Sequence, residues 1–309
     1  MLFHSLSNVA PIFILLLAGF LAVKGRLLSG DVIDGLMKFC THIAIPCLLF
    51  RATSTIDLQT AYDWRILLSY FGTAAICFSI AIIVASKFFS RRPGEAVAVG
   101  FSALFSNMVL LGLPIADRVF DEHAVSLTIA IVSLNAPICY LLGIVTMESV
   151  RADGRSYADT ASVVVKTMFK NLLMIGIGLG FMVNFGGVVL PEALSVSVGM
   201  MKSAALPCAL FGLGGLLARY ALAEQLAESS ALSAISLFAS PVIAYLVCTV
   251  LGVSGSERKL VVVLASIPPG LNAYLFASLY SRGLGTASSN VLIGTVLSVF
   301  SVSFWLWIL

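Results

Sequence analysis

The feature that most constrains this chain is the return, ten times, of a stretch of nearly uncharged apolar residues. Each is about twenty residues long, the length a helix rising 1.5 Å per residue needs to cross roughly 30 Å of hydrocarbon. The stretches cover residues 5–23, 31–50, 64–86, 95–116, 123–147, 161–184, 192–218, 229–252, 257–281 and 285–309. The second and seventh carry internal charge and give the weakest apolar signal. Of the 309 residues, 60% are hydrophobic and 11% charged, against about one quarter charged in an average soluble protein. No single water-soluble core of this length hides so much apolar surface. The expected fold is an all-α integral membrane protein with ten transmembrane helices.

The same pattern excludes several classes. The net charge of +3 comes from basic residues scattered through short loops, with no basic run to suggest nucleic acid. The six cysteines (Cys40, Cys47, Cys77, Cys139, Cys208, Cys248) all fall in apolar runs and are expected to pack as small hydrophobes. With three histidines (His4, His42, His123) and neither HExxH nor GxSxG, nothing marks a metal site, a cofactor or an intramembrane enzyme. The first run lacks a basic leader and ends at Lys24 and Arg26, as expected of a retained span.

Charge in the short loops sets the expected orientation. With the N-terminus outside, the inner loops hold eleven basic residues: Lys24, Arg26, Lys87, Arg91, Arg92, Arg151, Arg155, Lys166, Lys170, Arg219 and Arg282. The outer loops hold five: Arg51, Arg65, Arg118, Arg258 and Lys259. Both termini are then outside, and the longest polar stretch, residues 148–160, is in the cytoplasm. Trp305 and Trp307 are expected as interfacial anchors.

A weak internal repeat runs at one offset, 161 residues. Gly19-Phe20 is echoed by Gly180-Phe181, and Asp31 by Glu192. Pro46-Cys47-Leu48-Leu49-Phe50 is echoed by Pro207-Cys208-Ala209-Leu210-Phe211. Five spans separate the copies, and an odd number of crossings inverts the second. The expected organisation is two inverted five-helix repeats, residues 1–150 and 161–309, joined by a cytoplasmic linker over 151–160. Inverted repeats are a signature of secondary transporters, with substrate near the midplane where the halves meet.

The same offset sets Asn107 in the fourth span against Pro268 in the ninth, both near mid-depth. Pro268-Pro269-Gly270 cannot continue an ordinary helix: two donors are missing, and the rings clash with earlier carbonyls. Gly112 and Pro114 mark a corresponding break in the fourth span. In hydrocarbon, freed backbone groups are tolerated only against protein or a water-filled cavity. Half-helix N-termini there suit an anion. The substrate-binding candidates are Asn107, Pro268, Pro269, Gly270, Asn272 and Tyr274, with Asn135 beside Pro137 in the fifth span as a further wall.

At Pro46–Phe50, Asn107–Pro114 and Pro268–Tyr274 the chain resembles the auxin efflux carrier family, in particular its bacterial members described as malonate or malate permeases. That resemblance implies fourth and ninth spans that are broken and cross at mid-membrane. It implies a scaffold and dimer interface from spans 1, 2, 6 and 7, and a mobile transport domain from spans 3–5 and 8–10. It further implies elevator-type transport of small organic anions, a homodimer, and a multi-pass place in a bacterial inner membrane.

Ionisable residues inside spans are functional candidates. His42 suits proton coupling, Lys202 lies near mid-depth, and Lys38 sits close enough to the membrane edge to snorkel. Competing expectations are a sodium-coupled carrier of the bile acid symporter type, which needs clustered acids at mid-depth, and an anion channel.

Overall fold

The computed structural model describes residues 2–150, 172–219 and 225–309. The linker expected over 151–160, the start of the sixth span, and Arg151, Arg155, Lys166 and Lys170 lie outside the described residues. In hydrocarbon every backbone polar group must be paired inside the protein, and the described residues meet that demand mainly with helices.

The helices are α1 (Leu2–Lys24), α2 (Gly30–Thr55), α3 (Trp64–Phe88), α4 (Pro93–Leu104), α5 (Leu113–Val119), α6 (Glu122–Val150), α7 (Leu172–Phe185), α8 (Glu192–Leu217), α9 (Leu226–Val250), α10 (Gly255–Ala265), α11 (Leu271–Leu279) and α12 (Leu284–Ile308). Six of them, α2, α3, α6, α8, α9 and α12, are long and apolar enough to cross a membrane. The fourth and ninth apolar stretches are each split into two half-helices, α4 with α5 and α10 with α11. Acidic caps start the elements on one set of loops. Asp57 accepts from the Gln59 N–H, Asp63 from Arg65 and Asp121 from Ala124, satisfying first-turn donors that no helix can pair for itself.

Three prolines are absorbed without a break. Cys40–Ala44, Met108–Gly112 and Ile235–Ala239 are π-helical turns, followed two residues later by Pro46, Pro114 and Pro241. The wider turn, with its i→i+5 bonds, makes room for a ring that would strike the carbonyl four residues back. At Pro241 that carbonyl belongs to Leu237. It is taken up by the Ser301 hydroxyl at 2.7 Å and the Trp305 indole N–H at 3.0 Å, both from α12. Trp305 therefore mends a backbone inside the protein, whereas Trp307 is exposed.

Packing divides by neighbour. α1 lies on α8 and on α12, and α2 lies on α7 and α8; α3 packs on α4 and α9, and α12 also on α9 and α11. Glycines set the closest crossings. A Cβ at Gly19 would stand 2.8 Å from the Phe211 carbonyl carbon, and one at Gly180 would stand 2.6 Å from the Phe50 carbonyl oxygen. The pairs Gly19–Phe211 and Gly180–Phe50 exchange under the 161-residue offset, because 19 + 161 is 180 and 50 + 161 is 211. A second reciprocal set lies one turn away. Gly214 abuts the Leu16 carbonyl, and Thr53 donates to the Ile177 carbonyl at 3.2 Å.

A buried charge pair ties the ends of three elements. Glu228 on α9 is 2% exposed and accepts from Arg91 Nη2 at 2.7 Å, Arg91 Nε at 3.0 Å and Thr286 Oγ1 at 2.8 Å. Those Glu228 hydrogen bonds raise the Arg91 pKa above its ordinary range. Further along α12, buried Asn290 accepts from Ser233 and donates to Ser102, each at 2.6 Å. Neither group was among the residues expected from the sequence. All six cysteines are free thiols.

Candidate functional site

The backbone leaves the helix at Phe105–Asn107 and at Ser266–Gly270, and these two interruptions meet. Ser106 and Pro269 form an isolated antiparallel bridge. The Asn107 N–H donates to the Pro268 carbonyl at 2.8 Å, and the Gly270 N–H to the Phe105 carbonyl at 3.0 Å. Each segment supplies the partner that its own helix lost, which is how an unwound backbone persists away from water. The approach is tight: a Cβ at Gly270 would be 3.3 Å from Asn107 Cα, and one at Gly294 of α12 would be 2.9 Å from Pro269 Cδ.

Aromatic packing holds the crossing from behind. Phe101 of α4 and Phe276 of α11 stack with centroids 3.8 Å apart and planes 8° from parallel. Tyr140 of α6 packs 5.6 Å from both Phe101 and Phe105. Contacts of this kind contribute about 0.5–1.5 kcal/mol each beyond burial, enough to keep the two half-helix pairs in one register.

In front of the crossing is a cavity of about 480 Å³. One wall is the start of the second half-helices, Asn107–Leu110 and Gly270–Asn272 with Leu275. The opposite wall comes from α2 (Met37, Thr41, His42) and α7, and the floor from Asn135 and Tyr140 of α6. Both half-helix N-termini face it. The Met108 N–H bonds to Ser106 and that of Ala273 to Gly270, while Val109, Leu110, Leu271 and Asn272 hold first-turn N–H groups without an acceptor in their own helices. Two helix starts of this kind give the wall a partial positive charge. Asn107 is 7% exposed, and its Nδ2 is buried with no hydrogen-bond partner among the described residues. The Tyr140 hydroxyl donates to Asn272 Oδ1 at 3.2 Å.

Of the expected residues, the structure brings Asn107, Gly270, Asn272, Asn135 and His42 to one cavity. Pro268 and Pro269 shape the crossing from behind its wall, against α12. Tyr274, Lys38 and Lys202 are not among the lining residues, and Lys38 and Lys202 are exposed. The expected break at Gly112 and Pro114 needs correction. Both residues are helical, Gly112 closing the π turn and Pro114 opening α5, and the true interruption lies five residues earlier at Asn107. Thr41, Ser106 and Tyr140 were missed. Tyr140 lies five residues beyond Asn135 on the same helix, about 140° round from it, so spacing along the helix gave no signal for it.

An all-helical, multi-pass membrane protein whose interrupted helices cross beside an internal cavity is a membrane transporter in its architecture. The chain belongs to the membrane transport protein family, that of the auxin efflux carriers, whose sequence pattern matches residues 4–306. It is 25% identical to a protein of Rhizobium meliloti (strain 1021) named "Putative malonate transporter", over 97% of this chain and 94% of that one. It is 22% identical to the uncharacterized transporter YfdV of Escherichia coli (strain K12), over 100% and 98% of the two chains. It is 21% identical to auxin efflux carrier component 5 of Arabidopsis thaliana, over 94% and 92%.

Proposed function

We propose that this protein is a secondary transporter of small organic anions, working by elevator-type alternating access, with its substrate bound at the crossing of the two interrupted helices. The observation that carries this reading is the exchange of backbone hydrogen bonds between Phe105–Asn107 and Pro268–Gly270 beside the cavity. It leaves two helix starts and the unpaired Asn107 amide facing one space. Asn107, Gly270, Asn272 and Asn135 contact the anion, and Pro268 and Pro269 hold the crossing open. The names of the relatives, a malonate transporter and an auxin efflux carrier, favour a carboxylate.

Two inverted repeats, 1–150 and 161–309, form the chain, with α1, α2, α7 and α8 as scaffold and dimer face and the remaining helices as the moving unit. Support comes from contacts that exchange under the 161-residue offset: Gly19–Phe211 with Gly180–Phe50, and Leu16–Gly214 with Ile177–Thr53. Asn107 and Pro268, which pair directly, are themselves 161 residues apart, as expected of positions on a pseudo-two-fold axis. Both termini lie on the outer side of a bacterial inner membrane, following the bias of basic loops.

The test is uptake of malonate and of hexanoate into proteoliposomes by the wild type, N107A and N272A. Saturable uptake that falls at least tenfold in both variants, with folded protein retained, supports the reading. Unchanged kinetics in both variants remove the crossing from the transport path.

A further inference from the structure

His42 is the one titratable residue on the scaffold wall of the cavity among the described residues; it is exposed, like Lys38, and its ring is held in a defined way. It sits in the π turn Cys40–Ala44 that precedes Pro46. Its Nδ1 lies 3.0 Å from the Lys38 carbonyl oxygen and 3.0 Å from Thr41 Oγ1. A carbonyl only accepts, so Nδ1 must carry the hydrogen. The Thr41 hydroxyl spends its own proton on the Met37 carbonyl at 2.8 Å and is left as a second acceptor for Nδ1–H. The neutral ring is thereby set with a bare lone pair on Nε2, which has no hydrogen-bond partner among the described residues. Adding a proton there makes Nε2–H a charged donor without disturbing either anchor.

The surroundings offer that proton little competition. Of the titratable groups on elements packed against His42, Cys40 lies in the turn itself, Lys38 and Cys47 flank it on the same helix, and α8 carries Lys202 and Cys208. α7 brings none over Leu172–Phe185, and Tyr140 is the titratable group across the cavity. The remaining polar lining, Thr41, Ser106, Asn107, Asn135 and Asn272, is neutral, and most of the wall is apolar, including Met37, Ile45, Leu49, Val132 and Leu275.

We infer that His42 takes up one proton together with the substrate carboxylate, so that the cavity binds the anion as an imidazolium–carboxylate pair at Nε2 and the loaded carrier holds one carboxylate and one proton. This rests on the reading of the cavity as a carboxylate site and adds where the charge is neutralised. The charges balance: a neutral ring, one proton and one carboxylate give a neutral pair, which is far cheaper to carry through a low-dielectric barrier than a lone anion. The acid end then lies between His42 and the helix starts at Asn107 and Gly270, and the rest of the substrate lies on the apolar wall.

The test uses full-length protein in lipid nanodiscs and calorimetric binding of malonate and of hexanoate at pH 5.5 and pH 8.0. Wild-type affinity for at least one probe should fall at least tenfold between the two, as expected when binding requires a proton taken up at a histidine. H42Q should bind weakly and equally at both pH values, and H42K should bind with the pH dependence removed. Titration at pH 7.5 in two buffers of different ionisation enthalpy should give close to one proton taken up per carboxylate, a measurement that needs no variant. Pronounced pH dependence surviving in H42Q, or no proton uptake by the wild type, overturns the role of His42 and leaves the carboxylate site standing. Failure of both probes to bind at either pH overturns the carboxylate reading and this inference together.

Discussion

The reciprocal glycine crossings offer a sharp test of how the two halves are packed. Replacing Gly19 by Ala puts a methyl carbon 2.8 Å from the Phe211 carbonyl carbon and 3.1 Å from Phe211 Cα. Carbon atoms rest against each other at about 3.5–4.0 Å, so α1 must retreat from α8 by at least roughly 0.7–1.2 Å, and the Phe211 carbonyl oxygen is nearer still. The obstacle is backbone and cannot rotate aside. Overpacking of this kind costs about 1–3 kcal/mol, set against a gain of up to about 1 kcal/mol from Ala over Gly in a helix. At Gly180, the 2.6 Å approach to the Phe50 carbonyl oxygen predicts a cost of the same order. Gly35 is the control, since a Cβ there meets nothing within 4 Å, and G35A should stabilise by about 0.5–1 kcal/mol. Thermal unfolding midpoints of the three variants in identical nanodiscs should place G19A and G180A below the wild type and G35A at or above it. If G19A and G180A melt with G35A, the close crossings are not where the halves hold together. If one of the pair falls and the other does not, the crossings are not equivalent and the reciprocity fails.

Removing Arg91 should strand the Glu228 carboxylate, and R91A should lose about 3 kcal/mol, the low end for a broken buried pair, because Arg91 is itself 22% exposed. R91A/E228Q should recover most of that loss in a double-mutant cycle; additive losses would mean the pair is not coupled. F101A removes a fully buried ring stacked on Phe276 and should cost about 3–5 kcal/mol, read as a lowered unfolding midpoint with uptake lost in parallel. Y140F keeps the ring and deletes the hydrogen bond to Asn272; the expected loss is about 0.5–1.5 kcal/mol, seen as a two- to tenfold weaker apparent affinity for hexanoate with little change in stability. W305F leaves Ser301 as the remaining side-chain donor to the Leu237 carbonyl and should cost less than S301A/W305F. Equal losses in those two would refute the shared role.

Legibility followed the range of the interaction. Apolar runs at 64–86, 123–147 and 285–309 became helices close to their expected bounds, because burial in hydrocarbon is decided by local composition. Pro268-Pro269-Gly270 announced its own interruption, since missing donors are a property of the residues themselves. The partner interruption was misplaced at Gly112 and Pro114, because a π turn absorbs Pro114 without leaving the helix. Asn107, which has no such local mark, is where the chain unwinds.

What the sequence determined alone was the solvent and the rhythm: a bilayer, helices of spanning length, a 161-residue echo and one unavoidable break. The bilayer follows from apolar composition, and the helices and the break follow from backbone hydrogen bonding in a medium without water. What only the tertiary structure decided was who meets whom. It gave the expected crossing its backbone bonds between Phe105–Asn107 and Pro268–Gly270, set His42 across the cavity from them, and buried Glu228 against Arg91 over a separation of 137 residues. Those pairings depend on how helices distant along the chain cross, and Gly19 and Gly180, which the sequence marked only as an echo of each other, set how closely they do so.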